Sequence, residues 1–409
     1  MKRGFASMLS IALSICFIGC GMTVGANEQT ESKPAITLTI WHDKEDAVAA
    51  ALQNELDKLL PEIRVVLEKK NGLTEALKMV GNDPKAALDM YFFAHDKLGV
   101  YAEMGILTPI TEFLDADTLS LFLPMTISAA TYKGELYQLP IYFETLLFMY
   151  NRAIMSDQQV PATTEELYAY MEETTVGGNY GFLEQHSTAY YSAGWIHGFG
   201  GELISADGVP QLNAENTICA LEYHLRFARL MTGESEYATV NTLFKEGKAA
   251  ATIGGPWLIP SVREAGIDLG LARMPVVDET GLPLAPYSGV QGLHVLKVAA
   301  DNPAKREAIK TVLTQLCNTD IGVAMAKASG CAPAFTACYE LDEIKNDEMV
   351  MMMQTVARSA IPMPNIPEMD VMWNVVSNML VDINMRKMNV TDAANKAQKQ
   401  AEELIAAMK

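Results

Sequence analysis

Residues Ile36–Trp41 read ITLTIW, apolar and polar in strict alternation, the period of a half-buried strand. From Asp46 to Leu60 apolar residues recur at helical spacing, Pro61 stops that helix, and Ile63–Leu67 alternates again as a second strand. A helix over Leu73–Val80 and the apolar run LDMYFF that ends at Phe93 continue the alternation, predicting a largely parallel sheet covered by helices. The stretch FFAHDKLG (92–99) then falls just past a strand's carboxyl end, where open α/β sheets usually bind ligands. Asp96, a favoured N-cap type, is placed to cap a helix starting at Lys97.

Further along, Pro140–Tyr150 (PIYFETLLFMY) is a second apolar run with one acid, Glu144, in its middle. Thr163 with Glu166 forms a capping box, and 219–231 and 240–247 are helical around short strands such as Ala250–Ile253. Gly292–Val298 predicts a late strand, Ala304–Leu316 a helix, and Asp370–Met408 two more, with Thr391 as the expected cap of the last.

At 409 residues, 49% hydrophobic and 20% charged, the chain is long enough for two globular bodies. Its first residues have another pattern. Lys2 and Arg3 precede an apolar run from Met8 to Ile18, which is shorter than a membrane span and has the form of an export signal over 1–19. The FIGC ending resembles a bacterial lipobox, which implies acylation (palmitate among the acyl groups) at Cys20, and the polar residues 20–35 read as a tether. Loss of Lys2 and Arg3 with the signal moves the formal charge from −19 to −21, a surface that repels nucleic acid and anionic lipid. Cys219, Cys317, Cys331 and Cys338 have no metal-like spacing; Cys331 and Cys338 are open to pairing or to life as free thiols.

No P-loop, GxGxxG, HExxH, GxSxG or EF-hand pattern occurs, and the six histidines are scattered, so neither metal nor cofactor is expected. His95 is read as scaffolding, and the methionines at 349–353 as helix packing rather than copper ligands. What recurs is an aromatic beside glycine, proline or acid: Phe93 with Asp96, Glu144 in its apolar run, Tyr190-Tyr191, Trp257 after Gly254-Gly255-Pro256, and Trp373 after PMPNIPEM. A pyranose has apolar CH faces and a rim of hydroxyls, which rings and carboxylates suit. A glycoside hydrolase acting on α-glucans, with Asp96 and Glu144 as acid and partner, uses the same residue types. A binder of another oligosaccharide, or of a peptide or polyamine, is the remaining alternative.

The segments FFAHDKLGVYAEMGILTPIT (92–111), YKGELYQLPIYFETLLFMYN (132–151), FKEGKAAATIGGPW (244–257) and IPMPNIPEMDVMW (361–373) together, and in this order, resemble the maltose/maltodextrin-binding proteins of carbohydrate ABC importers. The resemblance implies a two-lobed, type II periplasmic-binding-protein-like α/β clamp with an inter-lobe cleft, an N-terminal lobe of 36–143 plus 293–345 and a C-terminal lobe of 144–292 plus 346–409. Hinge passages are expected near Glu144, Tyr287–Gly292 and 340–350. It implies a non-enzymatic monomer that holds a malto-oligosaccharide outside the cytoplasm, lipid-anchored to the membrane, and presents it to an ABC permease. Carried over residue by residue, it makes Phe93 a cleft aromatic, and Asp96 and Glu144 hydroxyl-binding carboxylates. Tyr190, Trp257 and Trp373 become stacking rings with Met363 beside the last, and Asp43 and Lys44 an acidic and a basic ligand group. Lys97 stands where relatives have Arg, and a lysine cannot make that forked contact. Thr188 lies where an acid is expected, and Asn374 where an aromatic is.

Overall fold

The computed structural model of the protein describes residues 36–86, 88–233 and 236–408; the predicted signal, Cys20 and the tether lie outside them. In chain order the strands are β1 Ile36–His42, β2 Ile63–Lys69, β3 Met90–Ala94, β4 Leu107–Thr108, β5 Thr131–Tyr132, β6 Glu135–Leu136, β7 Leu139–Thr145, β8 Leu147–Asn151, β9 Tyr180–Leu183, β10 Ala249–Gly254, β11 Leu269–Ala272, β12 Tyr287–Leu296, β13 Ala332–Pro333 and β14 Ile361–Pro362. They form two principal sheets with helices around them. The first has the order β13-β7-β12-β3-β1-β2, with β4 and β14 also on β12; the second is β11-β8-β10-β9.

The expected βαβ opening is present. Helix Asp46–Leu59 buries Val48, Leu52 and Leu56 on one face, and β1 lies parallel to both β2 and β3. The rest of the first sheet is not parallel: β12 runs antiparallel between β3 and β7, and β13 antiparallel to β7. That departs from the expected largely parallel sheet, because β12 returns from the second sheet instead of following a crossover helix. It also begins at Tyr287 rather than Gly292, and all ten of its residues are buried. The apolar run Pro140–Tyr150 is two strands, β7 in the first sheet and β8 in the second, parted at Leu146. One buried cluster is continuous from sheet to sheet through Tyr142, Leu146 and Tyr287; a smaller one gathers Leu73, Leu77, Tyr91 and Tyr101.

Local signals held where they rest on side-chain chemistry. Thr163 and Glu166 close the predicted capping box, and helix Leu73–Val80 has its expected bounds. Two caps differ. Asn389, not Thr391, caps the last helix, its side-chain oxygen accepting from Asp392 N at 2.8 Å. Asp96 caps nothing, since the chain enters a 3-10 turn, His95–Lys97, whose residues are all buried.

Candidate functional site

A donor–acceptor chain crosses the edge of the first sheet. Lys44, in the loop after β1, directs its ammonium to Gln291 Oε1 at 2.7 Å and to Asp43 Oδ1 at 2.6 Å, and stands 5.5 Å from the ring centres of both Phe92 and Phe93. The amide of Gln291 donates in turn to Glu144 Oε1 at 2.7 Å, while the Cys331 thiol lies 3.5 Å from the other carboxylate oxygen. Glu144 faces Gly289 across the β7–β12 pair, and a bulge between Gln291 and Gly292 shifts the register just beyond it. Burial pushes the Glu144 carboxyl up; the Lys44 charge and the hydrogen bonds from Gln291 and Cys331 pull against it without cancelling it. A cavity of about 530 Å³ opens here, lined by Asp43, Lys44, Tyr142, Glu144, Trp257 and Gln291 among others.

The rings converge from the other side. Trp257 sits on the short turn Pro256–Leu258 that follows β10, and its ring lies against Gly255, where no side chain would fit. Tyr190 opens helix Ala189–Gly198, with its ring centre 6.5 Å from that of Trp257 and 6.4 Å from that of Trp373. Trp373, on helix Met369–Asn384, meets Tyr287 in a T-shaped contact with ring centres 5.8 Å apart. Trp257, Tyr190 and Trp373 are all partly exposed, so a row of ring surface remains open.

The residues after β3 behave differently from one another. His95 is fully buried; its Nδ1 accepts from Val290 N at 3.0 Å and its Nε2 donates to Met363 O at 2.9 Å, which fixes a neutral ring and makes it scaffolding. Burial holds its pKa below the ordinary value. Met363 is buried and hydrogen-bonded through its N–H to Ser288 O at 3.1 Å. Lys97 is 5.8 Å from the Trp373 ring centre and donates to Asp370 at 2.7 Å, with Asp96 at 3.4 Å. Phe93 faces Gly292 of β12.

Asp43, Lys44, Glu144 and Trp257 thus meet at one cavity; Tyr190 links them to Trp373, and Trp373 to Lys97 and Asp96. Phe93, Asp96, Lys97, Tyr190, Met363 and Trp373 are not among the residues that line the cavity itself. Thr188 precedes the helix of Tyr190 without capping it, and Asn374 is exposed. Sequence reasoning passed over Gln291, Tyr142, Cys331 and Asp370. Tyr142 had a signal, two positions from Glu144 on one strand face; for the others, only spatial proximity confers a role. Cys331 and Cys338 are free thiols, buried apart in contact with Glu144 and with Thr319 O. Among the described residues, no three His, Cys, Asp or Glu side chains gather so as to hold a metal ion, and no helix is long and apolar enough to cross a membrane.

Carboxylate, ammonium and amide groups around a cavity, with tilted rings beside it, can hold a hydroxyl-rich ligand that has apolar faces. The family model described as bacterial extracellular solute-binding protein matches residues 47–352. A maltotriose-binding protein of Pyrococcus abyssi is 32% identical over 358 residues, 85% of this chain and 77% of the relative. A galactooligosaccharide-binding protein of Bacillus subtilis is 26% identical over 415 residues, 97% of this chain and 96% of the relative. A solved structure, the maltose/maltodextrin-binding domain MalE from Bdellovibrio bacteriovorus bound to maltotriose, superposes with a TM-score of 0.81 at 25% identity, covering 90% of this chain and all of that one.

Proposed function

The chain belongs to the bacterial extracellular solute-binding protein family, and we propose that its solute is a malto-oligosaccharide, which it binds outside the cytoplasm and delivers unchanged to an ABC transporter for import. Its fold is the two-lobed type II binding-protein fold of its structural neighbours. The observation that carries the choice of sugar is the likeness to the maltotriose-binding protein over 85% of the chain. The row of Trp257, Tyr190 and Trp373 supports it, since stacked rings suit the CH faces of glucose units. In this reading Trp257, Tyr190, Trp373, Phe93 and Met363 form the apolar grip, and Asp43, Lys44, Glu144, Asp96 and Lys97 exchange hydrogen bonds with hydroxyls. We divide the lobes close to 36–143 plus 293–345 and 144–292 plus 346–409; the sheets support crossings in these regions, β7 and β8 parting at Leu146 into different sheets and β12 entering the first sheet at Tyr287. Acylation at Cys20 would tether a monomer to the membrane, and replacement of Cys20 by Ala should then release the protein from membranes.

Bound ligand stabilises the folded state by RT ln(1 + [L]/Kd), so melting curves with maltose to maltoheptaose should rise with concentration. No rise with any of them refutes the substrate. The likeness to a galactooligosaccharide-binding protein favours a second reading, and galacto-oligosaccharides belong in the same series. Maltotriose should be recovered intact after incubation; turnover that disappears in Glu144→Gln would establish a hydrolase instead.

A further inference from the structure

We propose that Asp370 is a positioning residue of the saccharide site, its carboxylate holding the Lys97 ammonium over the face of Trp373, where a stacked sugar presents its hydroxyls. The inference rests on the function proposed above and deepens it. Lys97 is nearly buried, its side chain 11% exposed, and its ammonium has three neighbours: Asp370 Oδ1 at 2.7 Å, Asp96 Oδ2 at 3.4 Å and the Trp373 ring centre at 5.8 Å. An ammonium carries three N–H donors; Asp370 accepts one, and Asp96 meets the charge as an ion pair without a hydrogen bond, so donors remain for a ligand.

Asp370 and Trp373 are three positions apart on helix Met369–Asn384, so one helix face presents both the acid and the ring. The acid lies in the first turn of that helix, where the dipole favours an anion. Its second oxygen takes Lys78 Nζ at 2.9 Å, and Lys78 also donates to Glu75 at 3.2 Å, so two lysines face three carboxylates: Asp96, Asp370 and Glu75. Burial pushes the Asp370 carboxyl up, but hydrogen bonds from Lys97 and Lys78 outweigh it, and the group stays below its ordinary value and ionised. A guanidinium at position 97 would bring its own rigid fork to the sugar; a lysine is a point charge on a flexible stem and needs an anchor. Asp370 supplies that anchor, lowering the ordering cost that ligand binding would otherwise meet.

The test is a double-mutant cycle on the full chain, with affinities for maltotriose and galactotriose read by calorimetry for the parent, Asp370→Asn, Lys97→Met and the double variant. Asp370→Asn should weaken binding of whichever saccharide the parent holds about tenfold, the scale of one charge-assisted hydrogen bond. In the Lys97→Met background the same change should cost less than about twofold, because a positioning acid acts only through the lysine. Asp370→Glu, which keeps the charge, should recover part of the affinity. Lys78→Met, which removes the outer partner, should lower the melting temperature with less effect on affinity than Asp370→Asn. Full additivity of the two losses, or an Asp370→Asn affinity within twofold of the parent, overturns the inference alone. A parent that binds neither sugar overturns the functional reading, and this inference with it. Should Asp370→Asn fail to fold, Asp370→Glu decides: parental affinity with a displaced carboxylate overturns the proposal.

Discussion

Gly255→Ala tests the role of Trp257 without touching the tryptophan. Position 255 has φ −88°, open to any residue, so alanine brings no backbone strain. Its methyl group, however, would lie 2.1 Å from Trp257 Cη2 and 2.3 Å from Cζ2 and Cζ3, where ordinary contact begins near 3.4 Å. The ring must retreat by more than an ångström, and the cavity wall it forms with Glu144 and Gln291 moves with it. The steric cost should be about 1–3 kcal/mol of stability, as for other overpacked sites. Loss of one stacking partner should weaken maltotriose binding by about 1–3 kcal/mol, about 5- to 150-fold, on the scale of aromatic–base stacking. Chemical denaturation gives the first figure and calorimetry the second. Trp257→Ala should lose affinity to a similar degree. The double variant Gly255→Ala with Trp257→Ala should regain stability relative to Gly255→Ala, since the methyl then has room, yet bind no better. Unchanged affinity in Gly255→Ala would remove Trp257 from the ligand contact; a double variant as unstable as the single would show that the clash is not the cause.

Glu144→Gln should separate stability from binding. A carboxyl whose folded pKa is raised contributes stability that is full below its unfolded value of 4.5 and lost as pH rises through the folded one, so at pH 7 the buried anion is a burden. The glutamine variant should therefore melt no lower than the parent at pH 7, lose that advantage by pH 4, and bind maltotriose about tenfold more weakly. His294, stacked on Tyr91, has its pKa driven down to about 3 by burial, which outweighs the pull of the Tyr91 and Gly292 backbone groups. Its contribution is present above the unfolded value of 6.5 and lost as pH falls below it, by about 1.4 kcal/mol per pH unit. Urea midpoints between pH 7 and pH 4 should accordingly fall less steeply in His294→Phe. Gly99→Ala would set a methyl 2.3 Å from Asn365 O and break the 2.9 Å bond from Gly99 N to the same oxygen; denaturation should show a loss of about 1–3 kcal/mol. Because the described cysteines are free, a reducing agent should leave the melting temperature of the parent unchanged.

What could be read from the sequence is what depends on neighbours a few residues away. The Thr163–Glu166 box, the helix over Leu73–Val80 and the βαβ opening each follow from local spacing, and each is present. The first half of β12 was invisible because SGVQ breaks the apolar alternation: Ser288 pairs with β7 and β14, Gln291 with β7 and β3 and Gly289 with β7, so strand pairing rather than hydrophobicity holds these buried residues. The bulge at Gln291/Gly292 follows from the same pairing, and a Cβ at 292 would lie 2.2 Å from Leu139 O. Lys97 shows the limit most plainly. Read by itself it is a weaker substitute for arginine, and a loss to the site. In the fold it meets an acid 273 residues away on the helix that carries Trp373, and the weakness becomes a two-residue arrangement. An aspartate in the first turn of a helix looks like an ordinary solvent-facing favourable charge. Only the fold, which brings the turn after β3 and helix Leu73–Val80 against the start of that helix, gives Asp370 its partners Lys97 and Lys78. A single lysine-for-arginine exchange is therefore not evidence of a weaker site until the groups facing the ammonium are known.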